Sequence, residues 1–308
     1  MNRFDEMEVF VRIVDAGSLT GAADQLDVAK SAVSRRLAEL ERRLGVRLLT
    51  RTTRTMALTD AGQAYYLRAR DILAAADDAD CTVREASGSV SGRIRLAAPL
   101  SFGIAHLGPA LREFTRLHPA VELDIDLNDR QVDLVAEGFD LAIRIARLAD
   151  SQLAARRLTC VQHAVLASPD WWAIHGTPET PAALAQHRAL EYSNAPQSGW
   201  TCVDTRGKSH SVRVPSTLRA NNGEFLRDAA IAGLGIILQP SFITYRAIEA
   251  GELVPVLTEY QWQRLDVWAV YPATRFLPQR VRTLVDFLAA RFGDAPYWDD
   301  CLAGADRG

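Results

Sequence analysis

Three short helical segments separated by tight breaks occupy the first 45 residues, and they constrain the fold more than any other part of the chain. Glycine readily ends a helix and serine caps the next one, so Gly17 and Ser18 mark the first break. A second break falls at 27–29, and Gly45 follows the last segment. Apolar residues recur at helical spacing in three stretches: 4–16, 19–26 and 30–44. The pattern predicts a bundle whose second and third helices form a helix-turn-helix.

The third segment carries the side chains expected of a helix that enters the major groove of DNA. Its apolar stripe would face the bundle, which leaves basic and hydroxyl side chains on the open face near its N-terminus. Arginine and lysine can read guanine edges, and serine can bond to a base or to a phosphate. We expect these residues to contact DNA: Lys30, Ser31, Ser34, Arg35 and Arg36.

Residues 46–58 alternate into two short strands, and this strand pair is typical of the wing of a winged helix-turn-helix. Arg51, Thr53 and Arg54 would stand at its tip, where they can meet phosphate or the minor groove. Because phosphate contact depends on counterion release, Arg51 and Arg54 are expected to supply mainly salt-sensitive affinity.

The distribution of charge supports a DNA-binding segment although the net charge of the chain does not. The whole chain has a formal net charge of −3. Residues 30–54 contain eight basic and two acidic side chains, so the remainder of the chain carries −9. A basic patch on an otherwise acidic protein is typical of phosphate contact by one domain. A run of charged residues more often forms only a solvated surface, so the DNA-binding interpretation depends on the helix-turn-helix pattern.

A long helix is predicted from Thr59 and Asp60 to about residue 87, with a capping hydroxyl and an acid at its N-terminus. Its apolar positions are spaced 4, 3, 4, 3 and 4 residues apart: Tyr65, Ala69, Ile72, Ala76, Ala79 and Val83. This heptad seam predicts a dimerisation helix. The alternative is one amphipathic helix that packs on its own domain. The segment Gly88–Gly92 then reads as a flexible linker.

Strands and helices alternate from residue 93 onward, which predicts a mainly parallel α/β sheet. One continuous helix is expected from Ser101 to about Leu117, and a last amphipathic helix from Leu277 to Arg291. The tail after Gly293 turns polar and is predicted to be loosely held.

The remaining motifs exclude most enzymes and metal sites. The four cysteines lie far apart and the six histidines show no metal-ligand spacing, so no metal and no cofactor is expected. Gly233-x-Gly235 lacks the third glycine of a dinucleotide fingerprint. The run Asp124–Asn128 begins like a calcium loop, but Asp129 and Val135 occupy positions that need glycine and glutamate. The chain is therefore predicted not to be an enzyme.

The N-terminus and the hydropathy predict a cytoplasmic protein that does not enter a membrane. No run of 18 apolar residues occurs, and the acidic start lacks the basic and apolar regions of a signal peptide. An exported solute-binding protein is the alternative for the α/β part. Such a protein has no use for a basic helix-turn-helix, so the N-terminal segment favours a cytoplasmic regulator.

Several runs together resemble the LysR-type transcriptional regulators. In the N-terminal part the matching runs are Gly17–Ala23, Ser31–Leu37, Leu40–Leu49, Arg51, Leu58–Thr59 and Ala61–Gly62. The similarity extends from residue 3 to about 292 and includes Asp140–Arg144 and Ala232–Ile236. The sequence departs from the family pattern at Ala29, which replaces a frequent serine cap, and at Lys30, which replaces a frequent glutamine.

The resemblance implies an α/β multi-domain protein: an N-terminal winged helix-turn-helix, a long linker or dimerisation helix, and a two-lobed α/β effector domain of periplasmic-binding-protein type. The expected domains are 1–58, 59–89 and 90–308, with lobe I at about 90–161 plus 267–295 and lobe II at about 162–266. The resemblance also implies a small-molecule effector between the lobes, double-stranded DNA as partner, a homotetramer built as a dimer of dimers, and RNA polymerase as a further partner.

Residues beside strand ends and helix starts are the candidates for the effector cleft. They are Leu100, Ser101, Phe102, Asn128, Arg144, Arg147, Asn222, Phe225 and Gln239. Ser101 would either cap its helix or face a ligand. The two arginines would either clamp an anion or pair on the surface, and Asn222 would either reach the ligand or form a turn. Because arginines and aromatic rings stand among these residues, we expect an anionic or aromatic effector.

Overall fold

The computed structural model describes residues 2–51, 56–85, 90–148, 153–194, 199–273 and 277–303. The predicted wing-tip residues Thr53 and Arg54, and the side chain of Arg51, lie outside what is described. The N-terminal part consists of α1 (Arg3–Asp15), α2 (Leu19–Gln25), α3 (Lys30–Leu44), β1 (Leu49–Arg51), β2 (Met56–Leu58) and the long helix α4 (Asp60–Glu85). These bounds confirm the predicted winged helix-turn-helix followed by a long helix.

The remainder alternates strands and helices. Its strands are β3 (Gly92–Ala98), β4 (Val121–Leu127), β5 (Leu141–Ala146), β6 (Leu153–Ala167), β7 (Ala189–Tyr192), β8 (Trp200–Val203), β9 (Ser209–Val212), β10 (Ser216–Ala220), β11 (Ile237–Pro240), β12 (Val254–Val256), β13 (Gln261–Trp262) and β14 (Arg264–Pro272). Its helices are α5 (Leu100–Phe102), α6 (Gly108–Leu117), α7 (Leu134–Glu137), α8 (Pro169–His175), α9 (Gly223–Ile231), α10 (Ser241–Glu249), α11 (Gln279–Phe292) and α12 (Asp300–Ala303). A π turn, Gly103–Leu107, joins α5 to α6, so the helix predicted over 101–117 is continuous but not uniform.

The sheet is mixed, and the prediction of a mainly parallel sheet was wrong. Only β3 pairs in parallel with β4 and β5, whereas β14 runs antiparallel to both β5 and β6. The long strand β6 pairs with β14 as far as Gln162 and with β11 from His163 onward. Strand β6 leads from lobe I into lobe II and β14 leads back from lobe II into lobe I, so the two crossing strands connect the lobes and run in opposite directions.

Each lobe has its own apolar core. The lobe I core joins β3, β5, α6 and α11, and its members include Ile94, Leu96, Phe114, Val281 and Leu284. The lobe II cores join β6, α8, α9 and β11, and their members include Leu166, Trp171, Trp172, Leu226 and Ile237. Two separately packed lobes can move against each other about the crossing strands, which is what a ligand cleft needs.

The first two positions of the predicted heptad seam on α4 pack against the N-terminal domain, whereas the third is exposed. Tyr65 packs on Phe10 of α1 with ring centroids 5.5 Å apart, and Ala69 is buried in the same N-terminal core. Ile72 is 42% exposed. The first two seam positions therefore follow the alternative interpretation, in which the helix packs on its own domain.

Within the described ranges, no helix combines the length and the apolar character needed to cross a membrane.

The C-terminal tail is held firmly, so the prediction of a loosely held tail was wrong. A short 3-10 helix at Tyr297–Asp299 leads into α12. Trp298 is 0% exposed and belongs to the lobe I core. The hydroxyl of Tyr297 lies 2.6 Å from Nδ1 of the buried His106, and Asp299 accepts a hydrogen bond from Ser241. One aromatic residue in a polar run is enough to dock the segment.

Candidate nucleic-acid interface and effector cleft

The recognition helix α3 is positioned by its apolar stripe and by its two ends. Val33, Leu37 and Leu40 are buried against α1 and α2. The turn before α3 places Asp27 at φ +50°, a left-handed conformation that aspartate tolerates better than most residues. Ala29 at the N-cap makes no side-chain hydrogen bond, so the recognition helix has no side-chain cap at its N-terminus. The N-terminal amides of α3 therefore stay free for an external acceptor such as phosphate.

The structure brings the predicted DNA-contacting side chains of α3 onto one open surface. Lys30, Ser31 and Arg35 are exposed, and Ser34 is half-buried beside them. An open groove of about 540 Å³ continues this surface toward the wing. Its lining residues are Ser34, Ala38, Glu41, Arg42, Gly45, Val46, Arg47 and Leu49. Arg42 and Arg47 line this groove, so they extend the basic surface beyond the residues that the sequence predicted.

One member of the basic run has a structural role instead. Arg43 bonds to the buried carboxylate of Glu6 on α1, with Nε 2.8 Å and Nη2 2.6 Å from Oε2. This pair ties the end of α3 to α1, since a buried carboxylate needs a partner. Arg43 therefore contributes to the fold of the domain, and counting basic residues alone overestimates the charge that faces DNA.

The wing strands are anchored on both sides. The carboxylate of Glu41 accepts hydrogen bonds from the amides of Leu48 (2.8 Å) and Leu49 (3.2 Å). The hydroxyl of Thr59 donates to the carbonyl oxygen of Arg47 (2.8 Å) and accepts from the amide of Gly62 (2.9 Å). Thr59 thus caps α4 and fixes the wing in the same contact, which sets the angle between wing and recognition helix.

We expect the effector cleft where strands of the two lobes end. In lobe I, β3 and β4 run in parallel and end at Ala98 and Leu127. In lobe II, β7 and β10 run in parallel and end at Tyr192 and Ala220. Ligands of open α/β sheets bind beyond such carboxyl ends. Helix α10 packs against α5 of lobe I and α9 of lobe II, so it closes one side of the cleft.

Ser101 does not cap its helix. The cap position is Pro99, and the first amide, that of Leu100, donates instead to the carboxylate of Asp129 at 3.1 Å. Ser101 is 6% exposed, and its Oγ has no hydrogen-bond partner among the described residues. A buried hydroxyl without a partner is costly, which makes it a candidate for bonding a ligand.

Phe102 cannot wall the cleft as predicted. Its ring is 0% exposed and packs in the lobe I core against Phe242, Phe292 and Trp298, with centroids 5.4–5.8 Å apart. Successive residues of a helix point about 100° apart, so the ring next to Ser101 turns inward. Phe225 on α9 is 54% exposed and keeps an accessible ring.

The polar residues of the lobe I rim have mostly local partners. Arg144 donates from Nη2 to the carbonyl oxygen of Val132 at 2.9 Å, which holds the segment before α7 on β5. Arg147 is exposed beyond the end of β5. The side chain of Asn128 accepts from the amide of Arg130 at 3.1 Å and forms a turn. These contacts fit the alternative, structural interpretation of Arg144 and Asn128.

In lobe II the two predicted residues behave differently. Asn222 caps α9 by accepting from the amide of Phe225 at 2.8 Å, so its oxygen is already used. Gln239 is 2% exposed, and its amide oxygen stands against Gly223, where even a Cβ atom would come within 2.9 Å. The side chain of Gln239, on β11, therefore packs beside the start of α9. It is a large polar group in a buried position, which is typical of a ligand-binding residue.

Two further residues of the cleft were missed. Burial raises the pKa of Asp129, and the amide of Leu100 offsets only part of this. Burial also raises the pKa of Tyr192, and the negative charge of Asp129 adds to the effect. An acid that directly follows a parallel strand is a signal that could have identified Asp129.

Two family models match the chain. One describes a bacterial regulatory helix-turn-helix protein of the lysR family and matches residues 4–63. The other describes a LysR substrate binding domain and matches residues 87–293. Together they cover both parts of the molecule described above.

Full-length relatives agree with the family models. An uncharacterized HTH-type transcriptional regulator of Haemophilus influenzae is 36% identical over 91% of this chain and 98% of its own length. An HTH-type transcriptional repressor of Pseudomonas aeruginosa is 32% identical over 96% of this chain and 94% of its own. The solved structure of CrgA, a LysR-type transcriptional regulator from Neisseria meningitidis, superposes with a TM-score of 0.60 at 33% identity, covering 94% of this chain and 99% of that chain.

Proposed function

Since this chain belongs to the LysR family of transcriptional regulators, we propose that it recognises its operator through Lys30, Ser31, Ser34 and Arg35 of α3. The observation that carries this assignment is the burial of one face of α3, which leaves those four side chains on the other. Arg36 is partly buried and stands at the edge of this surface, suited to phosphate. The wing residues Arg51, Thr53 and Arg54 are proposed as further phosphate contacts.

The chain is a transcriptional regulator and not an enzyme, because its family and its relatives are transcriptional regulators. A regulator works where the DNA is, so we place it in the cytoplasm. RNA polymerase is a further partner for a protein bound beside a promoter.

Replacing Lys30 and Arg35 together by alanine should remove most of the discrimination between operator and random DNA. Each lost base contact costs about 1–3 kcal/mol on the specific site, and little on random sequence. The measurement is competitive binding of the full chain at one fixed salt concentration, using a duplex that the unaltered chain has selected from a random pool.

The control for this double variant is Arg116→Ala, which removes an exposed positive charge from α6, far along the chain from α3. It should bind both DNAs like the parent. If the Lys30 and Arg35 variant weakens on both DNAs by the same factor, these side chains contact phosphate and the proposed base reading is wrong.

The effector proposed for the cleft is a small molecule with hydrogen-bond donors, neutral or cationic at the end that meets lobe I. The sequence suggested an anion there. The carboxylate of Asp129 already occupies the first helix amide, so a second negative charge would be repelled. Ser101 and Gln239 supply neutral groups on the two sides, and the exposed ring of Phe225 can still contact an aromatic portion.

Ser101→Ala should weaken effector binding by roughly two- to tenfold without lowering the stability of the free protein. The lost hydrogen bond is worth about 0.5–1.5 kcal/mol, whereas the hydroxyl has no partner to lose in the free chain. The measurement is thermal unfolding with small amines, alcohols and carboxylates, where a ligand at 100 times its Kd stabilises by about 2.7 kcal/mol. Ser209→Ala, at an exposed serine of β9, is the control. Equal affinity in both variants would move the effector away from Ser101.

A dimer through α4, paired again into a tetramer, is the assembly we propose. Ile72 supports it, because this residue continues the heptad seam and its apolar side chain is 42% exposed. The seam beyond it contains small residues that permit close helix approach.

A further inference from the structure

The linker helix α4 touches lobe I at one polar corner, formed by α7 and Gly138. The amide of Gln63 donates to the carbonyl oxygen of Ala136 at 3.3 Å. Two turns further along α4, Arg70 lies very close to Gly138. A Cβ atom on that glycine would overlap Nη1 of the arginine and lie 3.0 Å from its Cζ. Gln63 and Arg70 lie seven residues apart, which is two helical turns, so they stand on the same face of α4.

The corner is rigid on the side of lobe I. Gly138 ends α7 in the left-handed conformation, at φ +78°. Arg95 of β3 donates from Nη1 to the carbonyl oxygens of Glu137 (3.2 Å) and Gly138 (3.4 Å), and its guanidinium lies 5.2 Å from the ring centroid of Phe139. Arg95 also pairs with Asp124 of β4 at 3.2 Å. The end of α7 is therefore fixed to the parallel strands whose carboxyl ends form the cleft.

The corner is equally well connected on the side of the DNA-binding domain. The guanidinium of Arg70 lies 5.9 Å from the ring centroid of Tyr66, one turn earlier on α4. Tyr66 is 5% exposed, and its hydroxyl donates to Asp15 at the end of α1, 2.6 Å away. Nη1 of Arg70 is buried and makes no hydrogen bond within the described ranges. A buried donor atom that makes no hydrogen bond costs free energy, which points to a role for Nη1 other than stability.

We propose that the α7 corner is the docking surface by which lobe I holds the linker helix, and that Arg70 makes the two domains respond to each other. Asp15, Tyr66, Arg70 and Gly138 thus form a continuous series of contacts from α1 to lobe I. Binding on either side changes the other only if this contact differs between the bound and free states. The inference rests on DNA binding by the N-terminal domain but not on the identity of the effector.

The test is amide hydrogen exchange of residues 132–140 in the full chain, free and bound to the duplex that the chain selects from a random pool. Coupling between two sites commonly reaches about fivefold or more. DNA should therefore slow exchange at the corner by at least about fivefold in the unaltered chain. Arg70→Ala and Gly138→Ala should abolish this protection, because the first removes the guanidinium and the second displaces it.

Two matched controls separate the contact from charge and from backbone strain. Arg68→Ala removes an exposed positive charge from the same helix. Gly251→Ala places alanine at a positive φ of +71°, with no atom within 4 Å to displace. Both should keep the protection. Retained protection in Arg70→Ala, or equal loss in Arg68→Ala, overturns the inference.

A measurement without DNA distinguishes this inference from the proposed function. If the unaltered chain selects no duplex, the proposed function fails. The corner is then judged in the free protein, where exchange at 132–140 should rise several-fold in Arg70→Ala and stay unchanged in Arg68→Ala. Unchanged exchange in both variants overturns the docking surface itself.

Discussion

Gly62→Ala should weaken specific DNA binding by about a hundredfold while leaving the effector domain folded. Gly62 stands in the first turn of α4, directly on the backbone of the wing. A Cβ there would overlap the carbonyl oxygen of Leu48 and lie 2.9 Å from its carbonyl carbon. Backbone cannot rotate away as a side chain can, so either α4 or β1 must shift.

Hydrogen bonds and burial around Gly62 oppose such a shift. The carbonyl oxygen of Leu48 already accepts from the amide of Thr59 at 3.0 Å, and the amide of Leu48 is held by Glu41. Leu48 is 1% exposed. Overpacking with backbone displacement costs about 3 kcal/mol at the upper end of its usual range. A loss of that size corresponds to about a hundredfold weaker DNA binding.

Binding to the selected duplex and thermal unfolding by circular dichroism measure the two parts of this prediction. Ala61→Ser and Ala64→Ser, on exposed positions that flank the glycine, serve as controls and should bind within about twofold of the parent. A Gly62→Ala chain that binds DNA as tightly as these controls would show that the wing can move without loss.

The sequence predicted the N-terminal domain almost residue by residue because its signals are local. Ser18 caps α2 and Gly45 ends α3 in the left-handed conformation, as their positions implied. Each helix boundary there depends on the few residues around it. A helix-turn-helix can therefore be predicted from sequence without any knowledge of tertiary contacts.

The direction of the crossing strands could not be predicted in the same way. Strand β6 contains Arg156 and Arg157 in its first half, which hides it from a search for apolar alternation. Both are paired across the fold, Arg156 with Asp286 and Arg157 with Asp266 and Asp294. The acidic partners of these two arginines lie more than 100 residues away in the sequence. The strand therefore depends on long-range contacts that a local sequence pattern cannot reveal.

The cleft was predicted in outline but not in its chemistry. Ser101 and Phe102 are neighbours in sequence, yet one keeps an unpartnered hydroxyl and the other packs in the core. Which face of a short helix meets the cleft depends on how α10 and the tail pack around it. Asp129 was dismissed together with a failed calcium loop, although its place after β4 has its own meaning.

Trp298→Ala should destabilise the effector domain by about 3–5 kcal/mol, the usual cost of removing a fully buried large aromatic side chain. The indole fills lobe I between Phe102 and His106, with centroids 5.8 Å and 4.5 Å away at steep angles. Such edge-to-face pairs add to the stabilisation from area alone. Leu302 and the ring of Tyr297 add further contacts, but Trp298 is fully buried, so its removal should loosen the described part of the tail.

Trp298→Phe separates packing from polarity and should cost clearly less than the alanine variant. The indole Nε1 is buried and has no hydrogen-bond partner among the described residues, so phenylalanine removes none of the bonds seen there and leaves a smaller cavity than alanine does. The measurement is denaturant unfolding of the full chain followed by circular dichroism, read on the transition of the effector domain. Because Phe102 adjoins Ser101, the alanine variant should also bind the effector more weakly. If Trp298→Ala shifts the transition by less than about 1 kcal/mol, the tail contributes nothing and its polar sequence was the better guide.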